Sequence, residues 1–398
     1  MGRLFRLEWK KLLHQRYLLF FCALLLAVDL FNIYENYDKL LSPREDVFTV
    51  EGVTFSIDRD AIVLHRDFEG PITQEKIDRL NALLQKAKAE EAQIGYGIWT
   101  EGYFPVPGVD RSQGERLMME LKRLAGYRER HIQPILDETD KLSAAVQDGS
   151  DPYAARMAAL IRRQYGNRSI TEFHRVKEFE PLMIYKLSAL FLLLLACFCA
   201  SSLFAGEKET GMAPLLKAAP NGKTRLFWVK LAALFTFVLA LGILFAAADY
   251  GMFYLCRRPT GASMPFWSMG DFADSPLNIS ILGALALFTL YRVLGAFALA
   301  LIAVWFSSLL PKSFPAFLAA VLCTAGLMLA TLWTDGFFGV FRYFNPVTLL
   351  ISVRLFENLR VENVFGYPVS AGLLALLGNL MLAAVLAFTA RGLWKRRA

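Results

Sequence analysis

Six separate apolar runs dominate this sequence: residues 17–33, 182–205, 226–255, 279–310, 315–333 and 370–390. A spanning α-helix needs about 20 predominantly apolar residues, with a range of about 17–25. Backbone in hydrocarbon must satisfy its own N–H and C=O groups, so such runs cross as helices. One run alone reads equally well as a buried helix of a soluble core. Six in one chain do not. The expected fold class is an all-α polytopic membrane protein, with six transmembrane helices. Residues 34–181 are expected as a mostly helical extracellular domain inserted between the first helix and the second. Composition agrees: 55% of the 398 residues are hydrophobic, against about 45–50% apolar, Gly included, for a soluble domain.

Charge placement sets the expected orientation, because Lys and Arg concentrate on the cytoplasmic side of spans. Residues 1–16 carry Arg3, Arg6, Lys10, Lys11 and Arg16, and the tail carries Arg391, Lys395, Arg396 and Arg397. The loop 206–225 carries Lys208, Lys217, Lys223 and Arg225, and the turn 311–314 carries Lys312. Six spans put all four segments on one side, so both termini are expected in the cytoplasm. Arg257 and Arg258, and Arg342, Arg354 and Arg360, run against this bias on the other side. The insert holds 26 acidic and 21 basic residues, net −5, and the rest of the chain is net +12. The overall +7 is therefore a topology signal, and nucleic acid is not an expected partner.

The first run follows a basic segment, as a signal peptide's would. No small-x-small site follows it, so it reads as a retained anchor. Before it, Phe5, Trp9 and Leu12 fall at i, i+4 and i+7, with cations on the remaining faces. Residues 1–16 are therefore expected as an interfacial amphipathic helix in the headgroup plane. Residues 17–33 form the first span. Residues 182–398 hold spans two to six, with a cytoplasmic loop at 206–225 and an outer loop at 334–369.

The insert is large enough for its own fold. Residues 46–57 alternate weakly, as a strand or two would. Ile77, Leu80 and Leu84, then Leu117, Leu121 and Leu124, keep helical spacing, and Asp151-Pro152 reads as a helix start. No cysteine lies in 34–181, so no disulfide framework is expected there. The outer loop 334–369 is crowded with Phe337, Phe338, Phe341, Tyr343 and Phe344 and broken by Asn345-Pro346. It is expected to dip into the outer leaflet as short helices packed on protein.

Catalytic arrangements do not emerge. The four histidines, His14, His65, His131 and His174, all lie outside the spans, and neither H-E-x-x-H nor G-x-S-x-G occurs. Gly222-Lys223-Thr224 copies the tail of a phosphate-binding loop, but Lys217 stands where its first glycine belongs. No catalytic, cofactor or metal residue is assigned. Ionisable residues within spans are functional candidates by default: Asp29, Asp249 and Arg292, with Lys186 near an end. Two readings stay open for them, a buried pair of Arg292 with Asp29 or Asp249, and a charge that contacts substrate.

The loop between spans two and three carries Glu207…Gly211…Leu215-Leu216…Pro220…Arg225…Lys230, in that order. It resembles the corresponding loop of the permease subunits of ABC-2-type ABC exporters. Six spans, a basic amphipathic N-terminal helix and Asn345-Pro346 in the last outer loop are similar too. The resemblance covers 1–33 and 182–398. The insert resembles that of variants with an enlarged first extracellular domain. The resemblance implies a permease in a bacterial plasma membrane, exporting a lipid, peptide or drug-like substrate. It implies no cofactor in this chain, since ATP would be hydrolysed by a separate cytoplasmic ABC ATPase subunit. A second permease chain, identical or not, would complete the path in the lipid bilayer. Glu207, Glu209, Gly211, Leu215, Leu216, Pro220 and Arg225 would couple to the ATPase, through a short helix over 209–219, and Arg6, Trp9 and Lys10 would lie on the interfacial helix beside it. Glu207 is expected to pair with the partner or with Arg6 or Lys10. A receptor or sensor built on the insert is the first alternative, and a membrane-embedded hydrolase the second.

Overall fold

The computed structural model describes residues 2–14, 16–37, 47–50, 53–56, 65–94, 111–145, 151–218, 222, 224–331 and 339–396. Among these residues, six helices are long and apolar enough to cross a membrane. They are Arg16–Tyr37, Leu187–Glu209, Arg225–Arg257, Ile281–Leu309, Ser313–Ala330 and Ala371–Arg396, here called spans one to six. Span four is the central post, packed against spans two, three, five and six. Spans one and five leave most of their surface outward. Among the described residues, sheet is confined to three two-stranded ribbons.

Span two differs from its apolar run. The run 182–205 predicts one helix, but the chain forms Glu180–Ile184, breaks at Tyr185-Lys186, and resumes as Leu187–Glu209. The helix also continues past the apolar run to Glu209, because its polar last turn finds partners on neighbouring helices.

The loop between spans five and six does form short helices, as expected. A 3-10 turn Gly339–Phe344, a helix Pro346–Leu350 and a 3-10 turn Ser352–Leu355 follow one another. Asn345 explains the start of the middle one. Its Oδ1 accepts from the Val347 amide at 3.1 Å, and its Nδ2 donates to the Leu327 carbonyl at 2.9 Å. Gly295 of span four permits the contact: a Cβ there would stand 2.8 Å from the Leu350 nitrogen and 2.9 Å from the Pro346 oxygen. The loop ends in a hairpin that sequence pattern does not announce, Val361–Val364 with Tyr367–Ser370. Its two-residue turn has Phe365 and Gly366 both at positive φ, the geometry that suits strand twist.

The described residues of 34–181 include a hairpin, Val47–Val50 with Val53–Ser56, and four longer helices. These are Gln74–Ile94, Arg111–Ala125, Gln133–Ala145 and Pro152–Tyr165. Asp151 caps the last, accepting from the amides of Tyr153 at 2.9 Å and Ala154 at 3.2 Å. The expected leucines do form a core, but it is not self-contained. Leu80, Leu84, Leu117, Leu121 and Leu124 pack in one cluster with Trp267 and Ala273 from the loop between spans three and four. The apolar stripes of these helices are finished by that loop.

Candidate functional site

The densest charge chemistry lies at the end of the bundle that carries the N-terminal helix, Gly2–Leu13. This helix turns Phe5, Trp9 and Leu12 inward, and Trp9 meets Phe237 of span three edge-on at 5.7 Å. Glu8 and Lys11, three residues apart, therefore lie along one flank. Arg6 and Lys10 face the opposite way and are exposed.

On that flank sits Glu207, in the last turn of span two and only 3% exposed. Lys230 of span three is 1% exposed and donates to Glu207 Oε1 at 2.5 Å, to Glu8 Oε2 at 3.2 Å and to the Leu203 carbonyl at 3.1 Å. Lys11 donates to the same Glu207 oxygen at 3.1 Å. Two carboxylates and two ammonium groups thus form a neutral cluster across three helices. Buried charges are tolerated when so paired, and losing one partner strands the other. The expected pairing of Glu207 with Arg6 or Lys10 is corrected to Lys11 and Lys230. The helix is the expected one, but its inward aromatic face turns Arg6 and Lys10 away.

The next two residues reach two more helices. Lys208 Nζ donates to the carbonyls of Ser307 at 2.9 Å, Ser308 at 2.7 Å and Leu310 at 3.1 Å, at the C-terminal end of span four. Glu209 accepts from the Ser313 amide at 2.8 Å and its hydroxyl at 2.9 Å, at the start of span five. Each charge has the sign that its helix end favours. Glu209 is thus part of span two, not of the short helix it was expected to begin. Above it, the Ser307 hydroxyl donates to the Ser201 carbonyl at 2.7 Å and accepts from the amides of Phe204 at 3.1 Å and Ala205 at 2.9 Å. A neighbour's side chain so inserted into a helical ladder is a known cause of bending.

Gly211, at φ 68°, then reverses the chain, as a glycine after a helix end commonly does. A six-residue helix follows, Ala213–Ala218. Its inner side is fixed: Ala213 is buried, and Lys217 lies over the Trp394 ring of span six at 4.2 Å. Its outer side is open, with Leu215 66% exposed, Met212 exposed before it and Leu216 half-buried. Arg225 opens span three and is exposed. Pro220 lies outside the described residues. The described element before Gly222 is a helix, whereas a phosphate-binding loop follows a strand.

The intramembrane charges gather around the break in span two. Arg292 Nη2 donates to the Tyr185 carbonyl at 2.8 Å, with the Met183 carbonyl at 3.5 Å. These carbonyls are orphaned where the helix stops. The Tyr185 hydroxyl donates to Asp29 Oδ1 at 2.7 Å. Asp249 is buried, with Asp29 and Ser188 beside its carboxylate. Of the two open readings, the direct ion pair is not formed: both aspartates act on Arg292 electrostatically, but its hydrogen bonds go to backbone. Sequence reasoning missed Lys230 as an intramembrane charge. The signal was there, a lone lysine in the third apolar run with Glu207 and Glu209 just past the end of the second.

Neither a family model nor a curated protein matches the chain.

Proposed function

We propose that this chain is the permease subunit of an ABC-2-type exporter, with its charge-clamped end in the cytoplasm against a separate ABC ATPase. One observation carries the reading: a short helix with an open apolar face, Met212 and Leu215, mounted on a lattice that reaches five neighbouring helices. Through Glu207, Lys208 and Glu209 a push on that helix would reach the N-terminal helix and spans three, four and five. Lys217 on Trp394 adds span six. Such a mount suits transmission of force more than a mobile tether does. The chain would hydrolyse nothing itself, and a second permease chain would complete the path for a lipid, peptide or drug-like substrate.

The test is a substitution that spares the lattice. Leu215→Asp changes an exposed side chain, so insertion and melting should stay as in the parent. Co-purification of the ATPase and transport should fall sharply. A variant that keeps its ATPase at normal yield and full transport would overturn the reading. A receptor built on the insert would show no ATPase partner in either form.

A further inference from the structure

A cleft far from the charged end lies between the helix Pro152–Tyr165 and the loop joining spans three and four. It is open to one side and holds about 400 Å³, and Arg163, Gln164, Arg168, Trp267 and Asn278 are among its lining residues. That volume is within the usual range for small-ligand sites, about 300–1,000 Å³. Arg168 is 3% exposed. Its Nε donates to the Gln164 carbonyl and to Asn278 Oδ1, both at 3.0 Å. The guanidinium lies over the Tyr165 ring at 4.2 Å and the Trp267 ring at 5.2 Å. Its forked end is the anomaly: Nη1 and Nη2 reach no hydrogen-bond partner among the described residues.

Nearby groups fill this vacancy only in part. Asp274 is the acidic group that acts on Arg168, and its half-exposed carboxylate has Oδ1 turned to His131 Nε2 at 3.0 Å. The Tyr127 hydroxyl, which donates to the Ala273 carbonyl at 3.0 Å, also faces the guanidinium and can accept from one of its N–H groups, leaving the others open. Burial pushes the guanidinium's pKa down and the Tyr165 phenol up to about 12, so the ring stays neutral and adds no anion. Arg163 is exposed and has no ion-pair or hydrogen-bond partner among the described residues. Gln164 Oε1 is buried and unpartnered. Stranding buried donors is costly, and a planar fork matches an oxyanion with two parallel hydrogen bonds.

We infer that this cleft binds a small oxyanion, a carboxylate or phosphate group, between Arg168 and Arg163. Trp267 walls the space beside it and would pack the apolar body of the molecule. The ligand would bridge the insert to the loop between two spans, so occupancy would stiffen that joint.

The test uses the full chain in uncharged detergent. Inorganic phosphate and acetate are titrated at constant ionic strength, with chloride as the reference, and thermal melting and tryptophan emission are followed. At least one should give a saturable response that chloride does not. Arg168→Gln should weaken it about tenfold or more, the loss of one charge-assisted contact. Arg163→Gln, an exposed change that leaves the fold alone, should weaken it by a smaller factor. A flat response through the millimolar range, or midpoints unchanged in Arg163→Gln and in folded Arg168→Gln, would overturn the assignment. Reconstitution in phosphatidylcholine vesicles with and without phosphatidylglycerol separates the sources. A phosphate response abolished by the anionic lipid identifies a headgroup as the natural oxyanion, and one that persists identifies a soluble molecule.

Discussion

At the scale of single residues, a few buried charges cannot be removed one at a time without cost. Glu207→Ala would leave Lys230 buried with Glu8 alone. The expected cost is about 3 kcal/mol, the low end for breaking a buried pair, because Glu8 remains. Glu207→Gln keeps the shape and one acceptor and should cost less. Melting in detergent should rank parent, Glu207→Gln and Glu207→Ala in falling order. Equal melting of all three would mean that the cluster is not structural. For this reason a loss of transport in Glu207→Ala cannot by itself be assigned to coupling, whereas a loss in Leu215→Asp can. Arg292 is a second such residue. Arg292→Met strands the Tyr185 carbonyl at the break in span two, at about 1–3 kcal/mol, visible in the same melts.

At the scale of elements, two glycines separate conformation from packing. A Cβ at Gly211 would meet nothing within 4 Å, but φ is 68°, so Gly211→Ala should cost only the left-handed penalty, about 1–2 kcal/mol. At Gly295 the backbone is ordinary helix, yet a Cβ would press on the Pro346–Leu350 backbone. Gly295→Ala should force that helix off span four, at about 1–3 kcal/mol. Its effect should show as faster proteolysis around 339–356, while Gly211→Ala should leave that loop intact. The spans were legible in the sequence because apolar length is a local property. The hairpin at 361–370 and the break at Tyr185-Lys186 were not, because each depends on partners distant in sequence. The site was half legible for the same reason. Glu207 and Gly211 stand out along the chain, but Lys11 and Lys230 become their context only when three helices meet. Arg168 gave no sequence signal at all, since an arginine after a helix reads as solvated until its burial is known.

At the scale of the whole molecule, the proposed reading would put the insert and the charged end on opposite faces of the bilayer, with the basic clusters favouring the cytoplasm for that end. Two sites decide the matter, Gln85 in the insert and Leu215 on the short helix, both exposed and separated by the one crossing of span two. Cys323 is exposed and Cys22 half-buried, so both are first replaced by serine. Single cysteines are then introduced at Gln85 and at Leu215, and intact cells are treated with a membrane-impermeant maleimide. Gln85→Cys should label at once, and Leu215→Cys only after the membrane is opened. A tag after span six should behave like Leu215, because the four crossings of spans three to six return the chain to the same side. Labelling of both cysteines in intact cells would remove the crossing at span two and with it the six-span fold. Labelling of Leu215→Cys alone would keep the six crossings but turn the molecule over. The open face of Met212 and Leu215 would then lie where no cytoplasmic ATPase can reach it, and the exporter reading would fall while the oxyanion cleft would stand.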